Sequence, residues 1–180
     1  MKIEVNNLKK SILFIIPSLG SGGAERSLIT MLSLLDYNNY DVDLMLFRSE
    51  GFFLDQIPAG VTVFDAGEDY RNFDGKIFKG IRFFIKHRKI KLAYFRIGYI
   101  FALRKKESLK KNRLIWKYLS AALPKLEKKY DTSIAYLEGN STHYCVDKTR
   151  APNKIGYIHS DFNKLEMNKD FSAEYFECTI

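Results

Sequence analysis

Residues 11–35 run from the mostly apolar "SILFII" through Pro17 and a loop with glycines at 20, 22 and 23, then into the helix-forming "AERSLITMLSLL". An apolar run of six has the length of a buried strand. Leu28, Met31, Leu32 and Leu35 recur at the spacing of one helix face. A strand that passes straight into a helix through a short glycine loop is the opening of a βαβ unit, and so of a parallel sheet. One glycine suffices for a turn, whereas three within four positions leave backbone amides room to approach a ligand.

The rest of the chain follows the same alternation. "DVDLMLF" (41–47) and "VTVFDAG" (61–67) read as strands, with "FFLDQIPAG" between them as a short helical turn ended by Pro58 and Gly60. "DTSIAYLE" (131–138) and "NKIGYIHS" (153–160) read as two more, with "GNSTHYCVDK" as a loop and short helix. Between these blocks lies a helical stretch. Ile77, Phe78, Ile81, Phe84, Ile85 and Leu92 line one face, with Lys76, Lys79, Arg82, Lys86 and Lys89 largely opposite. Further helices are expected over Tyr94–Leu103 and over about 107–129, the last interrupted near Pro124. The final stretch, from Asp161, is expected to start helical and to end on the opening of another strand. No glycine or proline closes that fragment, so the sequence reads as one cut inside a longer protein. The expected fold class is α/β: a Rossmann-like, mostly parallel sheet with helices on both faces, in a single domain of 180 residues.

In such a sheet the turn after the first strand lies at the carboxyl edge, where ligands bind. Gly20, Gly22 and Gly23 permit positive φ, and the helix N-terminus adds about half a positive charge. Phosphate is the natural guest. The pattern G-x-G-G-A-E is not the dinucleotide fingerprint, because Glu25 stands where the third glycine belongs, and no G-K-[ST] follows as in a P-loop. A purely structural alternative is a tight turn with Gly22 as N-cap and Glu25 reaching back as in a capping box.

The stretch "ILFIIPSLGSGGAERSLITMLSLL" resembles the opening of family-4 retaining glycosyltransferases, which have the GT-B fold of two facing Rossmann-like domains. The resemblance resumes at "YDTSIAYLEGNSTHYC" and "KIGYIHSDF", and covers roughly residues 11–65 and 130–180. It implies the N-terminal, acceptor-side domain of an enzyme that moves a sugar from a nucleotide-sugar donor to a glycan or lipid-linked acceptor. Gly22 and Gly23 would approach the donor phosphates, with Gly20 shaping the turn. Glu138, Gly139, Asn140, Ser141 and Thr142 would line the acceptor cleft. His159 matches a histidine at the reaction centre. The C-terminal domain with its Glu-x7-Glu motif, which holds the donor in that family, is absent from these residues, so the fragment alone is expected to be inactive. The resemblance implies no metal, and none is expected.

The residues support some of these roles directly. His159 ends an apolar strand at the sheet edge that carries the glycine loop, where an imidazole can bond a sugar hydroxyl or stabilise developing charge. A strand-end histidine satisfied by backbone is the plain alternative. Arg26 can reach a phosphate or acceptor, or simply face solvent. His143 is expected to cap or pack, and His87 to be solvated. The order Ser141, Asp147, His159 matches the nucleophile-elbow hydrolases, but G-x-S-x-G fails at His143 and Asp147 follows too soon for its own strand-end loop.

Charge divides the chain sharply. Residues 76–129 hold 18 Lys and Arg against Glu107 and Glu127, while the remainder holds 11 basic and 19 acidic residues. Such a segment seeks an anionic partner. Phe-rich apolar faces beside cationic ones suit a membrane surface. Tyr94, Phe95, Tyr99 and Phe101 among the cations would suit stacked bases, but no nucleic-acid motif is present and no nucleic acid is expected. A solvated cationic outer face is the third reading. The two cysteines, Cys145 and Cys178, have no metal-ligand spacing. A reduced, cytoplasmic protein, peripheral at the inner face of the cell membrane, is the resulting expectation. The alternative function is an anion- or membrane-binding module without catalysis.

Overall fold

The computed structural model describes residues 9–159 and 169–179. Five strands form one sheet: β1 (Lys10–Ile16), β2 (Tyr40–Leu46), β3 (Val61–Asp65), β4 (Thr132–Ala135) and β5 (Asn153–Gly156). Every pairing is parallel and the spatial order is β3-β2-β1-β4-β5. The fold is α/β and Rossmann-like, as the alternation requires.

β1 is central and buried on both faces, which explains its unbroken apolar run. Its alternate residues feed two cores. Phe14 and Ile16 join Val42, Leu44 and Leu46 beneath helix α1 (Gly23–Leu34), which contributes Leu28, Ile29 and Leu32. Leu13 and Ile15 join Met45 and Phe47 on the opposite face, under the remaining helices. Each fully buried side chain of this size contributes about 1.5–3 kcal/mol. Asp43 is buried on that second face too, where its carboxylate accepts hydrogen bonds from Lys128 Nζ (2.8 Å) and Tyr130 Oη (2.7 Å). The β2–β3 connection carries only a 3-10 turn, Leu54–Gln56, before Pro58.

The helical excursion begins earlier than its sequence implies. "VTVFDAG" stops as strand at Asp65, and Gly67 opens α2 (Gly67–Asp74). Asp65 explains the switch: it accepts from the Gly67 amide (2.6 Å), the Ser49 amide (2.9 Å) and Arg71 (2.6 Å). Burial opposes its charge, yet these donors hold its carboxyl below the ordinary value. α3 (Ile77–Lys86), α4 (Ile90–Leu103) and α5 (Leu109–Ser120) follow, then α6 (Asn140–Lys148) and α7 (Lys169–Phe176).

Two expectations are corrected, and one is resolved. The helix expected over 107–129 ends at Ser120, four residues before Pro124, because a residue preceding proline disfavours helical geometry. The apolar face of the basic segment is divided between core and surface: Phe84 is buried together with Gly80, while Phe78, Ile85 and Ile77 are exposed. Gly80 allows α3 to press against the Asn72 carbonyl of α2, which rotates the Phe78 side outward. The closing strand is not there among the described residues. Tyr175 and Phe176 end α7, and Glu177 and Cys178 form its terminal turn. The expected helical start over 161–168 lies outside the described residues.

Candidate functional site at the switch point of the sheet

The sheet winds in two directions from β1, so the loops after β1 and β4 diverge at its carboxyl edge and leave a crevice between them. Each of these loops feeds the N-terminus of a helix.

The glycine loop after β1 is clamped by its neighbour. The Leu19 amide donates to Glu50 O (3.0 Å), Leu19 O accepts from Phe53 (3.1 Å), and the Arg48 amide donates to Pro17 O (2.9 Å). The loop after β2 closes over this contact at Gly51, whose φ is +129°. Gly20, Gly22 and Gly23 are not among the positive-φ glycines, contrary to expectation; Gly22 is an extended N-cap with φ −80°. A Cβ on Gly22 would overlap the Glu25 carboxylate, and one on Gly20 would stand 3.6 Å from it. Glu25 therefore folds back over Gly22 at the N-terminus of α1, where the helix dipole favours negative charge. A phosphate would compete with this carboxylate for the same space. Gly23 has open space on its Cβ side, and Arg26 is exposed on the next turn.

The second wall comes from β4 and β5. Tyr136, at the end of β4, is buried, and its hydroxyl shares a 2.9 Å hydrogen bond with Ser27 on α1. The Tyr136 ring lies 5.2 Å from Tyr157 and 5.1 Å from His159, and the latter two stack at 5.9 Å. The His159 amide donates to Glu138 Oε2 at 3.1 Å. Gly139 caps α6 with φ +79° and ψ −125°, a conformation essentially reserved for glycine. The structure thus links α1, the β4 loop and the β5 loop through Ser27, Tyr136, Glu138 and His159. The exposed face of this cluster is His159, Tyr157 and Asn140.

Ser141 and Thr142 do not present their hydroxyls to the crevice. Both are fully buried in the first turn of α6, without hydrogen-bond partners among the described residues. Asp147 is engaged by Trp116 Nε1 (2.6 Å) and Tyr175 Oη (3.1 Å). No serine triad forms from these groups, and a fluorophosphonate probe is expected to leave Ser141 unlabelled. Mass-spectrometric detection of an adduct there would show that the hydroxyl reaches solvent.

His143 is also buried, among Trp116, Phe171 and Tyr175 at ring distances of 5.1, 4.7 and 4.3 Å. Desolvation pushes its pKa down to about 4, against the opposing charge of Asp147.

Sequence reasoning located the glycine loop and His159 but missed Tyr136, Tyr157 and Ser27. Aromatic residues at two consecutive strand ends, in "IAYLEG" and "IGYIH", were the available signal. Gly51 had none, because its constraint is a contact with a loop more than thirty residues away. In comparisons with known proteins, no family model and no curated protein matches this sequence.

Proposed function

We propose that this chain is the acceptor-side domain of a glycosyltransferase that passes a sugar from a nucleotide-sugar donor to a hydroxyl of a glycan or lipid-linked acceptor. The observation that carries the reading is the convergence at the switch point. There the helix N-terminus after Gly22 and an exposed imidazole at His159 are tied into one cluster through Ser27 and Tyr136. A diphosphate seated at Gly20, Gly22 and Gly23 would receive the α1 amides once Glu25 rotates away. His159, with Tyr157 stacked beneath it, would face the reacting sugar, where an imidazole can accept or donate a hydrogen bond as charge develops. Glu138 holds the His159 backbone and so sets where the ring stands. Asn140 offers an exposed amide to acceptor hydroxyls. In this reading a second, donor-holding domain closes the crevice, and the chain alone transfers nothing.

Titration with pyrophosphate and with a nucleoside diphosphate, followed by amide NMR shifts, tests this. Shifts at Gly20, Gly22 and Gly23 with a dissociation constant on the order of 1 mM are expected. Glu25→Gln removes the competing charge and is expected to tighten binding about 2–5-fold. Unmoved glycine amides, or measurable sugar transfer by the chain alone, would overturn the reading.

A further inference from the structure

Helix α4 is apolar on its outer face as well as its inner one. Ile90, Tyr94, Ile97 and Phe101 follow one another at i, i+4, i+7 and i+11, and so form a single stripe. All four face outward, with 61%, 67%, 41% and 61% of their surface exposed. The inward side of the same helix holds the buried Ala93, Arg96 and Ala102, with Leu92, Phe95 and Tyr99 packed partly buried against the core. The Arg96 guanidinium is taken inside, donating to Gly75 O at 2.6 Å and lying 5.5 Å over the rings of Phe73 and Tyr99. A helix that ends at water covers its outer face with charges, whereas α4 spends that face on four large apolar side chains and takes Arg96 inside.

α3 continues the pattern. Phe78, at 89% exposed the barest large apolar side chain among the described residues, shares a face with Arg82, Ile85 and Lys86. Between Lys76 and Lys106 the chain carries 11 Lys and Arg and no acidic residue. Among the described residues, only Lys89 of these forms an ion pair, with Asp69. Large apolar groups at the surface, ringed by unneutralised cations, match a phospholipid interface: acyl chains for the stripe, phosphates for the lysines and arginines.

We propose that the outer faces of α3 and α4 dock on an anionic lipid bilayer, with Phe78, Ile85, Tyr94 and Phe101 entering at headgroup depth. No helix among the described residues is long and apolar enough to cross a membrane, so the helices lie in the interface plane. A second copy of this chain fits the surface poorly, because a two-fold contact would oppose two stretches that hold only cations. Nucleic acid fits less well, because the aliphatic Ile90 and Ile97 interrupt any stacking platform. This surface does not depend on the sugar-transfer reading.

Flotation with vesicles of phosphatidylglycerol and phosphatidylcholine, against phosphatidylcholine alone, decides the matter. The chain is expected to float with the anionic vesicles only. Tyr94→Ser with Phe101→Ser is expected to lose at least about tenfold in partitioning while circular dichroism stays unchanged, since both side chains are exposed. Lys105→Glu with Lys106→Glu is expected to weaken the same binding. The proposal is overturned if the chain stays unbound, if it binds neutral vesicles equally, or if the Tyr94 and Phe101 variant floats like the native chain. Concentration-dependent dimerisation that blocks flotation, or preference for single-stranded nucleic acid over anionic vesicles, would equally overturn it.

Discussion

Gly51→Ala is expected to lower the unfolding free energy by about 2–4 kcal/mol, the largest loss expected from a single added methyl group in this chain. Two costs combine. The backbone at φ +129° is one that L side chains rarely adopt, worth about 1–3 kcal/mol of strain. The new Cβ would also overlap the Leu19 carbonyl, which is backbone and has no rotamer to escape into. Moving Leu19 disturbs its bonds to Glu50 and Phe53, each worth about 0.5–1.5 kcal/mol. Because Leu19 adjoins Gly20, the same substitution is expected to displace the glycine loop. Chemical denaturation measures the first effect, and the Gly20 and Gly22 amide shifts report the second. A stability within 0.5 kcal/mol of the native protein would show that the two loops are not clamped. Gly23→Ala is the natural contrast, since its Cβ would meet open space.

Acidification from neutral pH towards pH 4 is expected to remove about 2–3 kcal/mol of stability through His143 alone. The folded state holds this imidazole neutral, with a pKa of about 4 against an ordinary 6.5. Between those values the unfolded chain binds the extra proton, so stability is complete above pH 6.5 and is lost as pH falls towards 4. The cause is desolvation by Trp116 on α5, by Phe171 and Tyr175 on α7, and by the helix that carries His143. Asp147, one turn further along α6, opposes the shift but is already engaged by Trp116 and Tyr175. The lowered carboxyls of Asp65 and Asp131, ordinarily at 3.8, and of Glu107, ordinarily at 4.5, lose their contributions as pH falls through those values, at the acid end of this window and below it, so the His143 contribution is read as the difference from a variant without the imidazole. His143→Leu is expected to flatten the melting temperature between pH 6.5 and 4. A native protein that melts at the same temperature throughout that window would show that His143 is not held neutral.

How much of this was legible depends on whether the cause was local. β1 and α1 fall within a residue of where periodicity and the glycine loop place them, because burial on both faces and the Gly22 cap are written into adjacent positions. α2 was missed because "GEDYRNFD" shows no helical apolar stripe beyond Tyr70 and Phe73, and its start depends on Asp65 bonding to Gly67. The glycine loop was rightly placed, but its φ values were not. None of the three glycines has positive φ, and the Glu25 carboxylate lies over Gly20 and Gly22. Ser141 and Thr142 look like cleft residues in sequence because they follow a strand end. They are buried because α6 turns Ser141 and Thr142 into the protein, while Asn140 beside them stays exposed.

The alternation of apolar strands with helices determined the α/β class, the parallel sheet and the edge at which a site would form, because each depends on periodicity within a short window. The basic, acid-free stretch from Lys76 to Lys106 was equally plain. Only the tertiary structure decided which side of α3 and α4 meets solvent. An amphipathic pattern states that two faces differ, not which one the rest of the protein covers. It took the approach of α3 to α2 at Gly80, and the burial of Arg96 beneath α4, to turn Phe78 and Phe101 outward. The same holds for Gly51 and His143, whose constraints come from residues distant in sequence and become contacts only when the sheet closes.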